Sequence, residues 1–87
     1  MIVLFAQRFR KNYNRLRPKV RSQCEERLKL FETNSFHPLL DNHPLHGEYA
    51  GCRSINITGD YRAIFYRESD TVVRFIVIGT HHELFDS

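Results

Sequence analysis

The chain has 87 residues, 41% of them hydrophobic and 13% aromatic, which is enough apolar material for one core and too little length for two. Thirteen Lys and Arg against ten Asp and Glu leave a formal charge of +3 and a pI near 9.1, a modest excess that suits a nucleic-acid or acidic-protein partner without demanding either. Two cysteines, Cys24 and Cys52, stand apart from any Cys or His spacing that makes a zinc site, so reduced thiols are expected. The charge is uneven along the chain: residues 1–31 hold nine basic side chains against Glu25 and Glu26, whereas residues 32–87 hold four arginines against eight acids. The opening apolar run ends at Arg8, too short for a signal peptide or a membrane span, which predicts a cytoplasmic protein with a single domain over 1–87 and no membrane partner.

Ile2-Val3-Leu4-Phe5 is β-branched and aromatic and predicts an opening strand. Phe9, Tyr13 and Leu16 then recur at helical spacing and leave Arg8, Arg10, Lys11, Arg15 and Arg17 on the outer face of a short basic helix. Pro18 suits the first position of a second helix, where its missing N–H would be unpaired in any case. Val20, Cys24, Leu28 and Phe31 form the apolar stripe of that helix, and the pair makes a helical hairpin ending near Thr33-Asn34-Ser35. Residues 36–47 hold two Pro and three His with Asp41 and Asn42, a composition that predicts a long surface loop. From Tyr49 the pattern turns to β: residues 49–57, 61–68 and 71–78 are separated by Thr58-Gly59-Asp60 and Ser69-Asp70, both natural hairpin turns. The order β-α-α-β-β-β predicts an α+β fold in which an N-terminal strand and a helical hairpin pack on a mainly antiparallel sheet.

A two-residue turn at Ser69-Asp70 pairs Glu68 with Thr71 and, counting back, sets Arg62 opposite Val77 with His81 on the same face. At roughly 3.3 Å per residue His81 lies about 13 Å beyond Val77, and Gly79 offers a bend that would bring it back. Asp60, Tyr61, Arg62, His81 and His82 are therefore expected near one sheet edge. Cleavage of RNA without a metal needs a base for the 2′-hydroxyl proton, an acid for the leaving 5′-oxygen and a cation for the charge growing on the phosphate; Asp, His and Arg supply those roles. Arg also forks two N–H groups onto phosphate oxygens, while Tyr61 or Phe85 offers a ring for an unpaired base. Arg53 and Arg74, in mid-strand, read as structural, and Arg62 has the competing role of a salt bridge to Asp60 or Glu48. His37, His43 and His46 lack a second ligand cluster at fixed spacing, so neither a metal nor another cofactor is expected. The one-sided basic face of the first helix, with Arg8, Lys11 and Arg15, is a candidate RNA-docking surface.

His43-Pro44-Leu45-His46-Gly47, Gly51-Cys52-Arg53-Ser54-Ile55, Gly59-Asp60-Tyr61-Arg62 and Gly79-Thr80-His81-His82-Glu83-Leu84-Phe85 together resemble the RelE/ParE superfamily of type II toxins, most of all its YafQ-like members. The resemblance covers most of the chain, through motifs in the C-terminal half and through pattern alone in the helices. It implies a RelE-like fold and a ribosome-dependent endoribonuclease that cuts messenger RNA by 2′-hydroxyl attack and is held inactive by a cognate antitoxin. By the same resemblance His43, Asp60, His81 and Phe85 match active-site members of the YafQ-like enzymes, and Arg62 matches a phosphate-binding Arg of the RelE and YoeB branches. Two positions depart from the pattern: Asn56 stands where the YafQ-like enzymes have a strand His, and Val77 where they have an Arg. The lysines of RelE proper are also missing, since Lys11, Lys19 and Lys29 all precede the sheet. Arg62 and His82 are the side chains placed to compensate. On this basis His81 is the expected general acid, His43 or Asp60 the base and Arg62 the phosphate ligand, with activity falling as pH rises. The alternatives are a ParE-like toxin that inhibits DNA gyrase by protein contact, without dependence on a closing His, and a degenerate member that only binds its antitoxin or represses its own operon.

Overall fold

In the computed structural model, which describes residues 1–85, Ile2–Phe5 forms strand β1, Gln7–Arg15 helix α1 and Pro18–Thr33 helix α2. The two helices are parted by Leu16 and Arg17, both extended; Arg17 is held out of the helical region by the proline that follows it. Arg21 Nη1 donates to Leu16 O at 2.8 Å and closes that bend. His43–Pro44 forms β2, Arg53–Asn56 β3, Tyr61–Arg67 β4, Val72–Thr80 β5 and His81–Phe85 a final helix α3. The sheet order is β1-β5-β4-β3-β2, antiparallel at every pairing except β1 with β5. This is the α+β, mainly antiparallel arrangement expected.

Alternation along the strands sends two sets of side chains to opposite faces. On one face Phe9, Cys24 and Phe31 from the helices meet Ile55, Ala63, Phe65, Val73 and Phe75 from the sheet. Phe31 stands edge-on to Phe65 and to Phe75, with ring centroids at 4.9 and 5.3 Å, an arrangement that aligns ring edges with ring faces. On the other face a smaller cluster of Ile64, Val77 and Leu84, edged by Ile76 and Phe85, seats α3. β5 runs past the end of β1, and there the Asn12 side chain of α1 bonds the Ile78 backbone at 3.3 Å, covering an edge that no strand among the described residues pairs.

Three features depart from the sequence pattern. The strand expected from residue 49 begins only at Arg53, because Gly47–Tyr49 forms a 3₁₀ turn and Gly51 takes φ +90°, a conformation closed to most side chains. The expected loop over 36–47 contains a 3₁₀ turn, Pro38–Leu40, and the short β2. The β4–β5 register also differs, since Arg62 lies opposite Gly79 rather than Val77. One residue of the shift comes from the turn, where Glu68 N–H and Ser69 N–H both donate to Val72 O and the ladder starts at Arg67↔Val73. The second comes from a bulge at which Phe65 pairs Phe75 but Ile64 pairs Val77, leaving Ile76 extra. Two slips of one residue restore the parity, so Arg62 and His81 keep a common side and stand two residues closer than expected. The chain turns at Thr80 into α3 and not at Gly79.

Among the described residues no helix is long and apolar enough to cross a membrane. Cys24 is fully buried, and burial, with Glu25 alongside, pushes its thiol up to about 12; burial also raises the Cys52 thiol, which is partly exposed. Iodoacetamide at neutral pH is therefore expected to label Cys52 in the native protein and Cys24 only after unfolding, as read by peptide mass mapping. Equal labelling would mean that α2 does not pack on the sheet as described.

Candidate active site

The face of the sheet away from α1 and α2 is left open between β2 and α3. Asp41, His43 and Leu45 from the β2 side, Ser54 and Arg62 from the strands beneath, and His81 and Phe85 from α3 line a cavity of about 240 Å³ there.

His43 is oriented by its own loop. Asp41 adopts a left-handed conformation at φ +46°, one that Asp tolerates better than most residues, and its backbone O lies 2.7 Å from His43 Nδ1. A carbonyl only accepts, so Nδ1 carries the hydrogen, with the Asp41 carboxylate 3.7 Å from the same nitrogen, and in the neutral ring the lone pair lies on Nε2. The loop is tied down by Arg53, whose Nε donates to Asn42 Oδ1 at 2.7 Å and whose guanidinium lies over the Phe36 ring at 5.3 Å. Asn42 in turn donates to Ser35 O at 2.9 Å. Arg53 thus has the structural role expected of it, as does Arg74, which donates to Glu68 at 2.6 Å. His37 accepts from Leu39 N–H at 3.1 Å and starts a 3₁₀ turn. Among the described residues no three His, Cys, Asp or Glu side chains converge as metal ligands.

Arg62 bonds neither Asp60 nor Glu48. Its Nη1 donates to Thr58 O, Gly59 O and Tyr61 O at 3.1–3.2 Å, which pins the guanidinium on the β3–β4 turn. Among the described residues Nη2 and Nε have no partner, so one edge of the fork remains for an incoming anion. Among the described residues Arg62 is the one Lys or Arg lining the cavity.

His81 begins α3. Its N–H donates to Asp60 O at 2.9 Å, and its ring lies 4.9 Å from that of Phe85, one helical turn on. Ahead of it, Thr80 N–H donates to Glu83 Oε1 at 2.8 Å while Glu83 N–H donates to Thr80 Oγ1 at 3.1 Å, a reciprocal capping box. The Thr80 N–H, with its hydroxyl, holds the Glu83 carboxyl below the usual carboxylate range. A lowered folded-state value means that the extra stability the carboxylate draws from these bonds is fully present above the ordinary carboxylate pKa and is lost as pH falls through the lowered one, while the carbonyl oxygen of the neutral form still accepts.

Three of the residues expected near this sheet edge stand there, beside Thr80 and His81, without lining the cavity: Asp60, Tyr61 and His82. Thr58 Oγ1 accepts from the N–H groups of Asp60 and Tyr61 at 3.2 and 3.1 Å, and both residues line a separate depression of about 520 Å³ beside Lys19 and Gln23 of α2. Asp60 reaches α3 through its carbonyl oxygen, and Tyr61 packs against the helix-side core. The parity of β4 explains this, since Tyr61 falls on the side of Ala63 and Phe65, opposite to Arg62. His82 is exposed on α3 and does not line the cavity. Arg8, Lys11 and Arg15 are exposed on α1, on the helical side of the sheet and so across it from the cavity. Asn56 pairs with Arg62 across the strands and Val77 is buried against Ile64 and Leu84, so neither supplies a proton carrier or a cation to the cavity.

Ser54 was not indicated by the sequence motifs as a cavity residue. It is 1% exposed, its Oγ has no partner among the described residues, and only its even register with Arg62 marked it. The Thr80–Glu83 box has a signal of its own, since Thr-x-x-Glu is a readable helix start that the β-rich run before it masks.

The model for the YafQ toxin, a bacterial toxin of type II toxin–antitoxin systems, matches residues 2–86. The chain belongs to the YafQ toxin family. YafQ from E. coli strain BL21(DE3) superposes on this family member with a TM-score of 0.80 at 21% identity, over 95% of this chain and 96% of that one. A YoeB/ParE toxin from Agrobacterium tumefaciens gives 0.77 at 19% identity, over 93% and 99%. The E. coli DinJ–YafQ toxin–antitoxin complex gives 0.76 at 22%, over 95% and 94%. At these identities the likeness establishes the fold, and it is the RelE-like one expected for a YafQ-family toxin. No curated protein matches the chain.

Proposed function

We propose that this YafQ-family toxin is a cytoplasmic endoribonuclease that cuts messenger RNA on the ribosome and is neutralised by a cognate antitoxin. The observation that carries the reading is one cavity holding a proton acceptor, a cation and a second imidazole: His43, Arg62 and His81. In the cleaving step His43 Nε2 takes the proton of the 2′-hydroxyl and the 2′-oxygen forms a bond to phosphorus. The bond from phosphorus to the 5′-oxygen breaks, and His81 delivers a proton to that leaving oxygen. The unpartnered edge of Arg62 meets the charge that grows on the phosphate oxygens, where a donor fixed in advance needs no reorganisation. Phe85 offers its ring to the base beside the cut. The products are a 2′,3′-cyclic phosphate and a 5′-hydroxyl end, with no water consumed and no metal called for by the step.

The basic face of α1 and the cavity lie on opposite sides of the sheet, so a short RNA does not reach both. A partner that surrounds the toxin, meeting Arg8, Lys11 and Arg15 with its own RNA while the message enters the cavity, accounts for both surfaces. The antitoxin part of the reading rests on the family and on the solved complexes of similar toxins, DinJ–YafQ of E. coli and YoeB–YefM of Staphylococcus aureus.

The test is to incubate purified toxin with programmed ribosomes and message and to map the new ends. Cuts bearing cyclic phosphate, abolished when the co-expressed antitoxin is added back, are the expected result. Intact message at equimolar toxin would shift the reading to gyrase inhibition or to antitoxin binding alone.

A further inference from the structure

α3 has five residues, and a helix that short has no stability of its own in water. Something must fix its first turn, because both His81 and Phe85 enter the cavity from it. Four observations converge on residues that themselves stay out of the cavity. Thr80 and Glu83 exchange two hydrogen bonds across that first turn, at 2.8 and 3.1 Å. His81 N–H is held by Asp60 O at 2.9 Å, which sets the start of the helix against the β3–β4 turn whose carbonyls also anchor the Arg62 guanidinium. Leu84 is 5% exposed and plugs the cluster of Ile64 and Val77 beneath. Gly79 leaves room for all of this, since a Cβ there would stand 3.3 Å from Glu83 Oε1 and from Leu84 Cδ2.

We propose that Thr80 and Glu83 are positioning residues for His81, their reciprocal cap setting the angle at which the imidazole enters the cavity. The inference rests on the nuclease reading for its effect on rate but not for its effect on geometry. Glu83 acts as an acceptor for Thr80 N–H and does not act through its charge. An amide carbonyl accepts the same bond, which is why Gln serves in capping boxes as well as Glu.

Glu83→Ala, Glu83→Gln and Thr80→Val proteins separate this role from general stabilisation. Glu83 is exposed and Thr80 half-buried, and Val keeps the volume of Thr, so all three are expected to fold, with melting temperatures checked against the wild type. In single-turnover cleavage of ribosome-bound message, Glu83→Ala is expected to cut about tenfold more slowly, because misplacement of a reacting group by a fraction of an ångström costs rate on that order. Affinity for a message blocked by a 2′-deoxy nucleotide at the cut site should stay within about twofold, and Glu83→Gln should restore the wild-type rate. Equal rates for Glu83→Ala and Glu83→Gln, whether both fast or both slow, would overturn the proposal. A readout independent of cleavage is the nuclear Overhauser contact between the His81 and Phe85 rings, whose centroids are 4.9 Å apart. It should weaken in Glu83→Ala and Thr80→Val and persist in Glu83→Gln. Should His81→Ala cut like the wild type, the nuclease reading fails while this contact still decides the cap; its full retention in Glu83→Ala would refute the positioning role.

Discussion

Replacing His81 by alanine is expected to slow cleavage of ribosome-bound message by about 100-fold or more while the fold and antitoxin binding survive, the usual scale for removing a general acid. The fold survives because the side chain is exposed at the start of α3 and its removal opens no cavity. The rate falls because His81 is the imidazole assigned to the leaving oxygen, while Asp41 and His43 face each other across 3.7 Å and Arg62 does not release a proton. His82→Ala is the matched control, since it neighbours His81 on α3 but lies outside the cavity lining. The comparison is made on mapped ends in single turnover, with circular dichroism to show that both variants are folded. A His81→Ala protein that cuts within about threefold of wild type would remove the imidazole from the chemistry, and a large loss in His82→Ala would hand it the role instead.

The second large effect is on stability. Phe31→Ala is expected to lower the free energy of unfolding by roughly 3–5 kcal/mol, the range found when a buried phenyl is truncated. Phe31 is 1% exposed and joins α2 to two strands through edge-on contacts with Phe65 and Phe75. Domains of this size are stable by about 5–15 kcal/mol, so the variant should sit near its unfolding transition at physiological temperature. Urea titration followed by circular dichroism measures the loss. A change below about 1.5 kcal/mol would mean that the neighbouring rings collapse into the space, and that α2 is less firmly placed than its contacts indicate.

Where local pattern and tertiary packing agreed, the fold was legible in the residues themselves. Phe9, Cys24 and Phe31 at helical spacing became the helix side of the core, and Ile2–Phe5 became β1. Where a single backbone angle decided the outcome, periodicity misled: the aromatic start at Tyr49 looked like a strand, and Gly51 at φ +90° kept it from being one. The register was misjudged because neither the length of the turn after Glu68 nor the extra residue at Ile76 leaves a mark in the hydrophobic pattern. Arg62 and His81 nonetheless share the expected side, since the two slips cancel in parity. In the site, Arg62 and His81 were reachable from strand counting, whereas His43 came through the resemblance alone, as no spacing rule joins it to the sheet. Asp60 and Tyr61 stand at the expected strand ends but outside the cavity. On a strand the neighbouring residue points the other way.

The extra residue in β5 also governs how the toxin tolerates changes in length. Phe75 faces the helices, while Ile76 and Val77 both lie with the cluster beneath α3, so the alternation stalls once and then resumes. Losing Ile76 would leave Val77 opposite Ile64 and everything downstream in its present pairing. Losing any one residue from Ile78 to Thr80 would instead carry His81 round to the side of the aromatic core. Insertions and deletions in this strand are therefore filtered by position, absorbed silently at one point and disabling a few ångströms further on.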